Sequence, residues 1–212
     1  MTPSLSSLLP ILASIPGVSI PASFLQSVSI AATQRKIEQL EQMLRSEIAQ
    51  LNEQISAGQL LLDTEYVASD AFAANVMQAL RAAELAETDT KLRFVARALD
   101  GCALSFPRPR LDRFQTLRII EAVSDRELRV FVGLFDLLDP MDPYADSISS
   151  DGALTLAGLT RQEFVAALLG LGQLGLLSKE AQATHPGSGW MLTPLARQVA
   201  LLGRVGFQTD LP

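Results

Sequence analysis

The chain has 212 residues, 48% of them hydrophobic and 19% charged, with a formal net charge of −6. That length makes one large domain or two small ones, and the apolar fraction is enough to build a core. The acidic balance argues against a general duplex-DNA binder, while a single Cys and a single His argue against an internal disulfide and against cysteine-rich or multi-histidine metal sites.

No charged side chain occurs between Met1 and Gln34. The segment lacks the basic start of a standard signal peptide. Pro10, Pro16 and Pro21 interrupt it, so it is not a simple membrane-spanning helix either. Leu5, Leu8, Leu9, Leu12 and Ile15 repeat at helical spacing and predict a short helix over 4–15. Pro16-Gly17 breaks it, and Pro21 suits the first turn of a second helix with Phe24, Leu25 and Val28 along one stripe. Two readings stay open. The segment is an apolar arm buried in an oligomer, or it enters a bilayer as a bundle of several copies. In the second, Leu5, Leu8, Leu12, Phe24, Leu25 and Val28 face lipid or neighbouring helices, and Ser7, Ser14, Ser23 and Ser27 face a polar interior.

Charge begins abruptly at Arg35-Lys36, which would suit a headgroup layer. The second helix has no stop signal there and is expected to run to about Ala57, with Gly58 ending it. Ile37, Leu40, Leu44, Ile48, Leu51 and Ile55 form a stripe near the 3.6-residue period. Residues 22–57 would span roughly 54 Å, longer than a small domain needs. The stripe needs a partner from this chain or from a second copy, and those six residues are the expected interface of a homo-oligomer. A short turn or helix is predicted over 60–68, and helices over 70–86 and 90–100, the last capped by Thr88 or Asp89 and closed by Gly101. "SFPRPR" at 105–110 reads as an extended linker and a domain boundary.

Beyond it, a helix is predicted over 111–122. Ser124–Glu127 and Thr160–Glu163 are capping boxes that open the next two helices. Residues 139–152 read as a loop, 176–192 as a two-stranded hairpin, and Thr193-Pro194 as the start of a final helix. The expected organisation is mainly α: an uncharged segment (1–34), a long amphipathic helix (35–58), a helical middle region (59–104) and a C-terminal domain with a small β-hairpin (105–212).

In that last domain, "FVAALLGLGQLGLLSKEA" followed by "GSGWMLTPLARQVALL" within residues 164–202 resembles a winged-helix domain. The pattern covers about a third of the chain and speaks to fold, since winged helices bind DNA, RNA and proteins alike. "DTKLRFVARALDG" resembles a segment of uncharacterised bacterial proteins that join an apolar N-terminus, a long helix and a winged helix. In layout the chain is similar to the ligand-gated channel effectors of anti-phage defence, the Hailong type among them. The resemblance implies a membrane-associated ion channel on the cytoplasmic side of the inner membrane, or a cytoplasmic protein, controlled by an oligonucleotide.

Arg108, Arg110, Arg113, Arg118 and Arg161 are the candidate ligand-binding residues, a basic run that phosphates would suit. The competing reading is a solvated face balanced by Asp112, Glu121 and Asp125. Residues 105–212 hold ten basic and twelve acidic side chains, a net −2, so strong duplex binding is not expected. A short single strand is the better nucleic-acid partner. His185 reads as a solvent-facing loop residue, Trp190 as an apolar anchor, and Cys102 as a buried small hydrophobe. Gly170, Gly172 and Gly175 fall within or at the end of a helix, not in a nucleotide-binding turn. No catalytic set stands out, and no enzyme activity, cofactor or metal is expected. The reading is a non-enzymatic homo-oligomeric effector with a C-terminal sensor. A soluble winged-helix transcription regulator and a coiled-coil adaptor are the alternatives.

Overall fold

The structure is a computed structural model and describes residues 34–105, 112–137, 147–149, 156, 158–180 and 189–205. These residues are mainly helical with a small antiparallel sheet, and the chain divides into two compact units, 1–121 and 122–212. The uncharged segment, including Leu5, Leu8, Leu12, Ser14, Phe24, Leu25, Ser27 and Val28, lies outside the described residues. Among the described residues no helix is long and apolar enough to cross a membrane.

The first unit contains α1 (Gln34–Ser56), α2 (Thr64–Val67), α3 (Asp70–Leu85), α4 (Asp89–Gly101) and most of α5 (Arg113–Ala122). Local chemistry sets each boundary. Gly58, at φ 73°, takes the left-handed turn after α1 that other residues resist. Asp63, Ser69 and Thr88 cap α2, α3 and α4 by accepting from Tyr66, Phe72 and Lys91 N–H groups. Residues 61–63 and 103–105 close the unit as a short antiparallel clip. Asp63 N donates to Ala103 O (2.9 Å) and Ser105 N to Leu61 O (2.8 Å) around a Leu62–Leu104 bridge.

The stripe on α1 is covered by its own chain. Leu40, Leu44, Ile48 and Leu51 are buried, and α1 packs chiefly on α4 and also on α3. Phe72, Leu92, Val95 and Leu99 fill the same core. For these four residues the burial corrects the expectation of a seam between copies. A fully buried leucine stabilises by about 1.5–3 kcal/mol, and these four obtain that burial within one chain. Ile55 is half-buried, and the Ile37 side chain lies outside the description.

The division after Glu121 also differs from the expected boundary at 105–110. α5 is tied to the first unit. Its Arg113 Nη2 donates to Asp63 Oδ2 (2.7 Å) and Leu104 O (2.8 Å), Gln78 Nε2 donates to Glu121 Oε2, and Lys91 Nζ donates to Glu121 O (3.2 Å). A proline-rich linker marks extended backbone, but contacts made further along the chain decide which unit a helix joins.

The second unit contains α6 (Asp125–Leu137), β1 (Ser147–Ser149), α7 (Arg161–Gln173), β2 (Leu177–Glu180), β3 (Gly189–Leu192) and α8 (Pro194–Gly203). Both capping boxes are present. Ser124 N donates to Glu127 Oε2 (2.7 Å) and Glu127 N to Ser124 Oγ (3.2 Å), and Thr160 and Glu163 make the same exchange. The expected hairpin is β2–β3, with Lys179 opposite Trp190. The sheet order is β1-β3-β2, with Ile148 opposite Trp190. β1 corrects the sequence reading, which placed 147–149 in a loop.

Phe131, Leu134, Phe164, Leu168, Leu171 and Leu202 are buried in this unit. α6 and α7 approach closely at Gly170, where a Cβ would overlap the Glu127 carboxylate. Thr193 fastens the end of the unit. Its hydroxyl donates to Gly175 O (2.6 Å) in the turn after α7 and accepts from Ala196 N (3.2 Å) at the start of α8.

Candidate functional site

The five arginines expected to share a ligand do not form one patch among the described residues. Arg108 and Arg110 lie outside them. Arg118 is exposed on α5, and Arg161 is exposed at the first position of α7. Arg113 is structural. Its side chain is only 10% exposed, it is ion-paired to Asp63, and its guanidinium stands 3.8 Å over the Tyr66 ring. Its donors already serve Asp63 and a backbone carbonyl, so the expectation that it reads a phosphate is corrected.

The surroundings of Arg113 are a buried polar network that sequence reasoning missed. Asp63 uses Oδ1 to cap α2 (3.1 Å to Tyr66 N) and Oδ2 to hold Arg113. Asn75, wholly buried, donates from Nδ2 to the Tyr66 hydroxyl (2.6 Å). The Cys102 thiol is in hydrogen-bonding reach of Asn75 and is pushed up to about 12, chiefly by burial, with Asp100 adding and Arg113 opposing. Tyr66 is raised as well, first by burial and then by Cys102, against the lowering effects of Arg113 and Asn75. Residues 66, 75 and 113 come from three helices and 63 and 102 from the cap positions of α2 and α4, and no local spacing announces the set.

This network fixes an alkaline limit on stability. Raised acid groups favour the neutral form in the fold. Their contribution is complete below the ordinary thiol value of 9.0 and is lost as pH rises toward about 12. Unfolding titrations should show stability falling across that window, with a shallower fall in Cys102→Ala. At neutral pH the folded thiol should ignore aromatic disulfide reagents that modify the denatured chain at once. Rapid labelling of the native protein would contradict this.

The second unit offers a different surface. Gln162, Ala166, Leu169 and Gln173 recur at 4, 3 and 4 residues along α7, and all four are exposed. Leu169 is 46% exposed. The opposite face, with Phe164, Ala167, Leu168 and Leu171, is core. The outward stripe carries no charge. Arg161 stands at its N-terminal end, beside Glu163, whose carboxyl is held below its ordinary value by the Thr160 N–H and then by the Thr160 hydroxyl. Arg126 pairs with Glu163 at 3.5 Å.

Trp190 is the buried anchor of the hairpin. Its ring lies against Gly172, where a Cβ would come within 2.9 Å, and Lys179 Nζ is 5.2 Å from the ring centroid. It is therefore no platform for a stacked base. His185 lies outside the described residues. Among the described residues no group of three His, Cys, Asp or Glu side chains is placed to hold a metal. No protein family, no curated protein and no solved structure matches the chain.

Proposed function

We propose that the chain is a non-enzymatic, self-assembling effector whose second unit is a winged-helix-like sensor for a protein or a short single-stranded nucleic acid. The fold part of this reading is supported by element order. Helix, strand, helix, hairpin and helix follow one another, and the strand ahead of α7 joins outside the second strand of the hairpin. The ligand part rests on one observation. The outward stripe of α7, the helix a winged-helix protein would present, is Gln162, Ala166, Leu169 and Gln173.

A duplex reader needs cations beside the groove to neutralise phosphates. This stripe has none along its length. Glutamine amides and a half-exposed leucine instead suit a polypeptide surface or unstacked bases. The effector part rests on residues 1–34, where an uncharged apolar run needs cover from a bilayer or from other copies.

One set of binding measurements on the full chain tests both parts. Duplex DNA should bind weakly and without sequence preference at physiological salt. The chain should float with anionic lipid vesicles, and Ser14→Arg or Ser27→Arg should abolish flotation. Nanomolar, sequence-dependent duplex binding would instead establish the transcription-regulator alternative. A chain that never floats would remove the membrane role.

A further inference from the structure

A polar cleft of about 380 Å³ lies between α1 and α4. Its α1 wall is a ladder of Gln39, Gln42, Ser46 and Gln50, spaced 3, 4 and 4 and so on one helix face. That face is about two-fifths of a turn away from the buried leucine stripe. None of these four side chains is charged, and each amide can donate and accept. A solvated helix face with no task normally mixes Glu and Lys, as Glu38, Glu41 and Arg45 do elsewhere on α1.

The α4 wall supplies charge. Arg93 and Arg97 are one turn apart, roughly 6 Å along the axis. Arg97 Nε donates to Glu47 Oε1 at 3.1 Å. This neutralises the nearly buried carboxylate at the base of the cleft and leaves the terminal nitrogens of Arg97 for another acceptor. Arg93 is exposed and, among the described residues, makes no ion pair or hydrogen bond. Asp89, one turn before it, is likewise exposed and unpaired.

From this arrangement we propose that the cleft binds a phosphate-bearing, hydroxylated small molecule of mononucleotide size. Two guanidinium groups one turn apart present planar forks that match phosphate oxygens. Asp89 can only accept, which suits sugar hydroxyls. The glutamine ladder pairs with an edge that mixes donors and acceptors, as a nucleobase does. Met43 adds an apolar patch for one ring face. The lining contains no aromatic side chain, so a stacked polymer finds no platform. The volume is at the lower end of small-ligand pockets, which also excludes a chain of nucleotides. This inference concerns the first unit only and stands or falls independently of the winged-helix reading.

The test is calorimetric titration of the full chain with the four common nucleoside monophosphates, ribose 5-phosphate, adenosine and inorganic phosphate, each to millimolar concentration. At least one phosphate ester should bind, and adenosine should bind at least tenfold more weakly than its monophosphate. Tight binding by ribose 5-phosphate would assign the sugar phosphate as ligand. A preference for one monophosphate would assign the nucleotide. Arg93→Ala should weaken binding roughly tenfold or more. Arg93 is exposed, so that variant should melt as the wild type does. Gln42→Ala should weaken nucleotide binding and leave inorganic phosphate unchanged. Arg81→Ala, on the exposed side of α3, should change nothing. The proposal fails if no phosphate ester binds, if adenosine matches its monophosphate, or if Arg93→Ala binds as tightly as the wild type.

Discussion

Leu44→Glu combined with Leu51→Glu should unfold the first unit rather than separate subunits. Leu44 is 1% exposed and Leu51 0%, both facing α3 and α4 of their own chain. A carboxylate at either position loses its water and gains no cation, since the neighbouring core is Phe72, Leu92, Val95 and Leu99. The effective penalty is on the order of several kcal/mol per ion, added to a lost apolar contribution of about 2–5 kcal/mol per leucine. Two such changes exceed the 5–15 kcal/mol or so that holds a typical domain. Circular dichroism should show the helix of the first unit lost, and amide exchange in α1 and α4 should become fast while that in α7 stays slow. A double variant that keeps wild-type melting and changes only its sedimentation would restore the seam between copies.

Arg113→Ala should be the most damaging of the arginine substitutions. It removes two hydrogen bonds and a cation–π contact at once. It also breaks the ion pair to Asp63 beside the Asn75–Tyr66–Cys102 group. Hydrogen bonds to charged groups contribute about 1.5–3 kcal/mol each, and coupled losses do not add fully, so the expected cost is about 2–4 kcal/mol. Arg113→Lys keeps the charge but not the fork and should recover less than half of it. Arg118→Ala and Arg161→Ala, both at exposed positions, should stay within about 0.5 kcal/mol of the wild type. Thermal and denaturant unfolding of the four variants checks this. Equal stability for Arg113→Ala and Arg118→Ala would return Arg113 to the surface, where a ligand could use it.

What could be read from the sequence follows the range of the interactions. The caps at Ser124, Thr160 and Thr193 are written within three or four residues and were legible, while the sequence left the cap of α4 open between Thr88 and Asp89. So was the hairpin, whose strands are separated by eight residues. β1 was not. Its three residues pair with 189–191, some forty positions away, and a run as short as Ser-Ile-Ser has no periodicity to detect.

The stripe on α1 was legible as a stripe, but not the identity of its cover, because amphipathicity states a need and not a supplier. The Asp63–Arg113 pair spans fifty residues. From the sequence, Arg113 belongs to a basic run with Arg108 and Arg110, and only the fold turns it back toward Asp63. The glutamine ladder of the cleft was in plain view at helical spacing. It drew no reading from the sequence, because nothing local says that two arginines from α4 stand opposite.

The attachment of α5 to the first unit bears on how this gene can be cut and recombined. A crossover within "SFPRPR" would look safe, since it severs no predicted helix. It would nevertheless deliver α5 to the wrong half. The upstream fragment would lose the guanidinium that closes Asp63 and the Glu121 groups that accept from Gln78 and Lys91. The downstream fragment would carry Arg113 and Glu121 away from the side chains and carbonyl they hold in the first unit. A junction at Val123-Ser124 falls between one helix end and the next capping box and keeps α5 with Asp63, Gln78 and Lys91 of the first unit. Modular exchange of this protein with others has its natural seam there, fourteen residues past the last proline of the linker.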